Sequence, residues 1–185
     1  MDLKPMMLTL LLASALSGLS TSVTATDWSN APLEAVQQAA AQGESYAQYD
    51  LGMRHYHGRD LPKNDQQAAL WIGKAAQQGD LFAQYNIGWL YEHGRGLQQD
   101  PQQALRWYRQ AAQQGHTTAQ KRLGQLYAEG NTVAQDNSEA YIWLSVALAN
   151  STDPSMLELK DALAKRLTPA QLTAAQQQIR DYSQQ

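Results

Sequence analysis

Four histidines, His55, His57, His93 and His116, are the first place to look for a metal site in this chain. Two ligands on one helix share a face at a spacing of three or four. His55 and His57 are two apart and point to different faces, while His93 and His116 fall at loop and helix-end positions. No cysteine is present, which removes thiolate ligands, a thiol nucleophile and disulfides. Neither a metal nor a cofactor is therefore expected. The carboxylates stand mainly at helix starts and on polar faces, with no pair placed for acid–base work. Glycines are numerous, but none is followed by the Lys-Ser/Thr of a phosphate-cradling loop. The remaining chemistry is aromatic and apolar: Tyr46, Tyr49, Met53 and Tyr56, then Phe82, Tyr85 and Trp89. Tyr, Trp and Met are enriched at binding interfaces, so this set points to recognition rather than catalysis.

The elements that would carry these residues repeat. Ala83, Gly88, Gly94, Trp107, Ala111 and Gly115 recur thirty-six positions earlier as Ala47, Gly52, Gly58, Trp71, Ala75 and Gly79. Thirty-six positions later five of the six return, as Ala119, Gly124, Gly130, Trp143 and Ala147. A fixed period of this length marks a solenoid whose units bury their apolar faces against one another. Each unit reads as helix A, loop and helix B. The A helices are expected over 45–57, 81–93 and 117–129, and the B helices over 65–78, 101–114 and 137–149. Gly52, Gly88 and Gly124 fall mid-helix, where each costs about 1 kcal/mol relative to Ala; close helix–helix contact is the expected compensation. Asn64, Asp100 and Asp136 are expected N-caps, with Pro101 at the first helical position. Trp71, Trp107 and Trp143 are expected to anchor the B helices in the core.

A half-repeat precedes the first unit. Its helix is expected over 31–42, with Asn30 as N-cap, Pro32 in the first turn and Gly43 as the stop. After Ala149 the period breaks. Asp153-Pro154 and Thr168-Pro169 each open a helix, with stripes Met156, Leu159, Leu163, Leu167 and Leu172, Ala175, Ile179, Tyr182. This pair is expected to cover the open end of the third unit; a loose tail is the alternative.

Residues 1–25 resemble an export signal. Lys4 precedes an apolar run from Pro5 to Leu19, which is short for a membrane span, and Val23-Thr24-Ala25 fits a small-x-small cleavage site. The alternative is an uncleaved anchor. The charge balance is mildly acidic, 14 Lys+Arg against 17 Asp+Glu, which gives no support to nucleic-acid binding. The layout is then a signal peptide over 1–25, a capping half-repeat over 26–43, repeats over 44–79, 80–115 and 116–150, and a helical cap over 151–185.

The frame resembles the Sel-1-like repeat family, a subclass of the tetratricopeptide-type helical repeats. The second unit carries most of its pattern: Ala83, Ile87-Gly88, Tyr91, Gly94, Gly96-Leu97, Asp100, Ala104, Trp107-Tyr108, Ala111-Ala112 and Gly115. The resemblance covers about 31–150, and 157–182 is similar to the closing helices of bacterial members. Asp60 and Thr132 stand where the second unit has Gly96, and a β-branched Thr tolerates positive φ poorly, so this loop position is not expected to require positive φ in every unit.

The resemblance implies an all-α, right-handed α-solenoid of three 36-residue helix-turn-helix repeats with helical N- and C-terminal caps. It implies a non-catalytic scaffold or adaptor holding a protein or peptide partner. The inner face of the A helices would line a concave groove, carrying Tyr46, Tyr49, Met53, Tyr56, Phe82, Tyr85 and Trp89 as partner-binding residues, followed by Glu92. Thr118, Lys121, Gln125 and Ala128 would continue the groove in the third unit. Packing between units is the alternative role for any of these aromatics. Two further readings are an enzyme or regulator acting on peptidoglycan, and a secreted host-binding factor. The expected compartment is the periplasm, with secretion as the alternative.

Overall fold

Side chains that accept backbone N–H groups cut this chain into helices at the period of the repeat. The computed structural model describes residues 28–182, so the expected signal peptide lies outside the described residues. Among the described residues there are nine α-helices and no strands. After a 3-10 turn at Trp28–Asn30 come α1 (Leu33–Ala41), α2 (Ser45–His57), α3 (Asp65–Gln77), α4 (Leu81–His93) and α5 (Pro101–Gln113). They are followed by α6 (Thr117–Glu129), α7 (Asn137–Leu148), α8 (Pro154–Ala164) and α9 (Pro169–Tyr182). Asn64, Asp100 and Asp136 cap α3, α5 and α7 as expected. A second set, unforeseen from the sequence, starts the A helices. The side chains of Glu44, Asp80 and His116 accept from Ala47, Ala83 and Ala119 at 2.9, 2.7 and 3.2 Å.

Each unit is an antiparallel helix pair held together at its mid-helix glycine. A Cβ added to Gly88 would lie 2.9 Å from the Tyr108 ring and 3.3 Å from the Ala104 carbonyl oxygen. At Gly52 it would meet Ile72 at 2.6 Å, and at Gly124 it would meet Leu144 at 2.6 Å. The separations of 2.6–2.9 Å are closer than a Cβ approaches a neighbouring atom, so the A–B crossing depends on the missing side chain. Apolar clusters then join helix B of one unit to helix A of the next. Ala68, Ile72, Ala75 and Ala76 of α3 pack with Ala83, Ile87 and Leu90 of α4. Ala104, Tyr108, Ala111 and Ala112 of α5 pack with Leu123 and Leu126 of α6. Leu97 and Val133 turn back against these clusters from the loops, and Leu61 turns back against a third formed by Val36, Ala40, Ala47 and Leu51.

Two expectations are corrected. Trp71 and Trp107 are half-buried at the edges of their clusters, and only Trp143 is fully inside, at 2% exposure. The residue facing each glycine is the next one, Ile72, Tyr108 or Leu144, and one residue turns the side chain by about 100° around the helix. The Trp143 ring is enclosed because the Tyr182 ring of α9 lies over it at 5.0 Å; its Nε1 donates to Glu139 at 3.0 Å. The Trp71 ring instead carries Lys74 Nζ at 3.8 Å from its centroid. The second correction concerns Asn30, which belongs to the 3-10 turn; Pro32 occupies the N-cap position of α1 and makes no side-chain cap.

The ends of the array depart from the frame where a neighbouring unit is lacking. Arg54, 1% exposed, takes the position of Leu90 and Leu126. Its guanidinium donates to the carbonyls of Trp28 and Ala31 at 3.0 and 2.7 Å and pairs with Asp50 and Asp60 at 2.6 and 2.9 Å. It thereby satisfies the irregular chain that enters α1. Asp60 has φ 61°, matching Gly96 at φ 73°, whereas Thr132 does not adopt positive φ, so the loop position does not require it in every unit. At the other end α8 and α9 pack on α7 as expected. Asp153 caps α8 and pairs with Lys121 of α6 at 2.5 Å. Thr168 and Gln171 form a reciprocal capping box at the start of α9.

Two predictions follow from this packing. Gly73, also mid-helix, would meet only Ile87 Cδ1 at 3.8 Å. Gly73→Ala should raise the unfolding free energy by about 0.5–1 kcal/mol, and Gly88→Ala should lower it by about 1–3 kcal/mol through overpacking; denaturant titration of both variants measures the contrast. The second concerns His116, whose ring burial holds below its ordinary value of 6.5 and whose Nδ1 must be unprotonated to accept from Ala119. Between the lowered value and 6.5 the unfolded chain binds a proton that the folded chain does not, so stability falls as pH drops through this window. The thermal midpoint should decline from pH 7 to pH 5. His116→Asp, the residue type that Asp80 already uses, should flatten the decline to the share left by His55, which burial also lowers.

Candidate partner-binding face

Because the A helices present glycine to the A–B crossing, their larger side chains are left on the face where α2, α4 and α6 lie side by side. The seven candidate residues separate into two groups there. Tyr46 and Phe82 are 54% and 53% exposed. Tyr49, Met53, Tyr56, Tyr85 and Trp89 are half-buried and pack against the core clusters.

The half-buried group links α2 to α4. Tyr49 Oη accepts from Asn86 Nδ2 at 3.0 Å, and its ring lies 6.5 Å from Phe82. Tyr56 meets Trp89 edge-on at 6.0 Å. Between the two helices is a hollow of about 250 Å³. Its walls include Met53, Tyr56, Tyr85 and Trp89, and it also reaches the buried Ile72 and Leu90. This is the size of a few apolar side-chain groups, and the lining is mostly carbon.

Three histidines join the aromatic set. Trp89 stacks on His93 at 4.1 Å, Tyr85 stacks on His116 at 4.7 Å, and Phe82 meets the His116 ring edge-on at 5.6 Å. His57 contacts Tyr56 at 5.0 Å and lines the hollow. These rings pack on the aromatic side chains. The signal was their register: His57 and His93 are one period apart, and His116 is one period after Asp80.

The face becomes polar toward the third unit. Glu92 accepts from Tyr108 Oη at 2.6 Å and pairs with Arg122, which also reaches Glu129 at 3.5 Å. Burial opposes ionisation of Glu92, but the bonds from Arg122 and Tyr108 outweigh it and hold the carboxyl below the usual range. Lys121 is engaged by Asp153, Gln125 accepts from Arg122 at 3.3 Å, Thr118 is exposed and Ala128 is half-buried.

The titration behaviour of the tyrosines fits binding. Burial, with Asp80 nearby, pushes Tyr49 up to about 12, and burial also raises Tyr85 and Tyr108. All three stay neutral at physiological pH, as hydrogen-bonding and stacking groups. Among the described residues no group of three or more His, Asp or Glu is arranged to hold a metal.

Comparison with known proteins places this geometry in a family. The Sel1 repeat model matches residues 45–80, 81–116 and 117–151. The fold is similar to the crystal structure of a Sel1 repeat protein from Oxalobacter formigenes, with TM-score 0.63 and 35% identity over 70% of this chain and 97% of that one. It is also similar to c5321, a protective antigen of uropathogenic Escherichia coli with an SLR fold. There the TM-score is 0.51 and the identity 30%, over 80% of this chain and 40% of that one. No curated protein sequence matches. With three consecutive repeats matched over more than half of its length, the chain belongs to the Sel1 repeat family.

Proposed function

We propose that this protein is an exported, non-catalytic adaptor that holds a protein or peptide partner against the α2–α4 face. Tyr46 and Phe82 make the outer contact, and the hollow between Met53, Tyr56, Tyr85 and Trp89 takes an apolar side chain of the partner. Sel1 repeat proteins generally mediate protein–protein interaction and are typically scaffolds. Two aromatic rings more than half exposed, Tyr46 and Phe82, stand on the same two helices whose facing residues line an apolar hollow, and this carries the reading. An extended segment or one face of a helix fits this arrangement of an outer rim and an inner anchor.

Export rests on the sequence of residues 1–25, and the compartment proposed is the periplasm. No helix among the described residues is long and apolar enough to cross a membrane. Similarity to a protective antigen supports a second reading, a factor secreted or displayed toward a host. Fractionation of the producing cells separates the two.

The binding reading is tested by cross-linking capture from envelope extract. The double variant Tyr46→Ala/Phe82→Ala should retain native helicity and capture at least about ten-fold less partner, since losing two hot-spot contacts exceeds the roughly 1.4 kcal/mol per decade. Undiminished capture would refute it.

A further inference from the structure

A second site lies at the far end of the array, where the repeat leaves a hydrogen-bond acceptor without its donor. Gln48, Gln84 and Gln120 occupy one position of the frame and are 5%, 4% and 3% exposed. Each donates its side-chain amide to a carbonyl in the preceding helix, Ala40, Ala76 or Ala112, at 3.1, 3.4 and 3.0 Å. That bond fixes the carboxamide orientation, nitrogen toward the carbonyl and oxygen away from it. In the first two units the oxygen is satisfied from the end of the same unit's B helix. Gln78 Nε2 donates to Gln48 Oε1 and Gln114 Nε2 donates to Gln84 Oε1, both at 2.7 Å.

In the third unit the donor position is Asn150. It is one methylene shorter, and it follows the C-cap residue Ala149, whereas Gln78 and Gln114 are themselves the C-cap residues. Gln120 Oε1 is buried and has no partner. Gln120 also lines a hollow of about 490 Å³, bounded by the ends of α5 and α7 and by Tyr182. Its walls mix apolar Val146 and Ala149 with the exposed amides of Gln113 and Asn150.

We propose that this hollow binds a primary carboxamide, the side chain of a glutamine in a peptide partner, whose N–H replaces the missing donor at Gln120 Oε1. A neutral amide oxygen is the acceptor and no carboxylate lines the hollow, so an ammonium would be desolvated there without a counter-ion. A carboxylate has no proton to give. The carboxamide reproduces the bond that the frame already makes twice, and Val146 and Ala149 are suited to its methylenes. The site shares no lining residue with the hollow between α2 and α4 and does not depend on the function proposed for it.

The test is titration of the ¹⁵N-labelled full chain with N-acetyl-Ala-Gln-Ala-N-methylamide and with the Glu analogue, read at the side-chain amide resonances of Gln120. The Gln peptide should shift them saturably, and the Glu peptide should bind at least ten-fold more weakly. Asn150→Gln, which supplies the donor internally, should abolish binding of the Gln peptide and raise the thermal midpoint. Equal response to both peptides, no response at millimolar concentration, or undiminished binding by Asn150→Gln would each overturn the proposal.

Discussion

The fold depends on a contact that no side chain larger than hydrogen permits. At Gly52, Gly88 and Gly124 the A helix lies against the B helix so closely that an added Cβ would stand 2.6–2.9 Å from Ile72, Tyr108 or Leu144. Each glycine carries a propensity cost of about 1 kcal/mol, which the tight packing of a large neighbour offsets. Once the crossing is fixed, the rest of the unit has little freedom. The alanines at 68, 75, 104, 111, 140 and 147 are buried, and the next unit closes over helix B. Bulky A-helix residues with no place at the crossing then lie on the face shared by α2, α4 and α6.

Frame and ends obey different rules. Inside the array, capping and amide bonds recur at constant positions because each unit meets a copy of itself. At the N-terminal end Arg54 replaces an apolar residue and ties down loose carbonyls. At the C-terminal end Tyr182 encloses Trp143, but Asn150 does not reach Gln120. Departures from the repeat are therefore where this chain's individual chemistry lies, together with the aromatic face of its first two units.

Much of this was readable from sequence because caps and glycines act locally. The three A helices begin and end at the residues expected, and the B helices end one residue early. The recurrence of Trp71, Trp107 and Trp143 identifies a frame position but not its angle on the helix, and the neighbour at 72, 108 or 144 faces the glycine instead. Glu44 and His116 are not legible as caps in the sequence because they are not among the usual capping residues, whereas Asp80 at the same frame position is. The split of the candidate face into exposed Tyr46 and Phe82 and half-buried Tyr49, Met53, Tyr56, Tyr85 and Trp89 depends on how α2 and α4 meet, which the pattern of one unit does not contain.

The repeat frame is self-sufficient and leaves the outer aromatics free for a partner, which equilibrium denaturation of Tyr46→Ser/Phe82→Ser probes. The expected loss is at most about 2 kcal/mol, the scale of surface substitutions and of the two exposed contacts that Phe82 makes with Tyr49 and His116. A loss of about 3 kcal/mol or more, the scale of emptying a core site, would show these rings to be framework and contradict it.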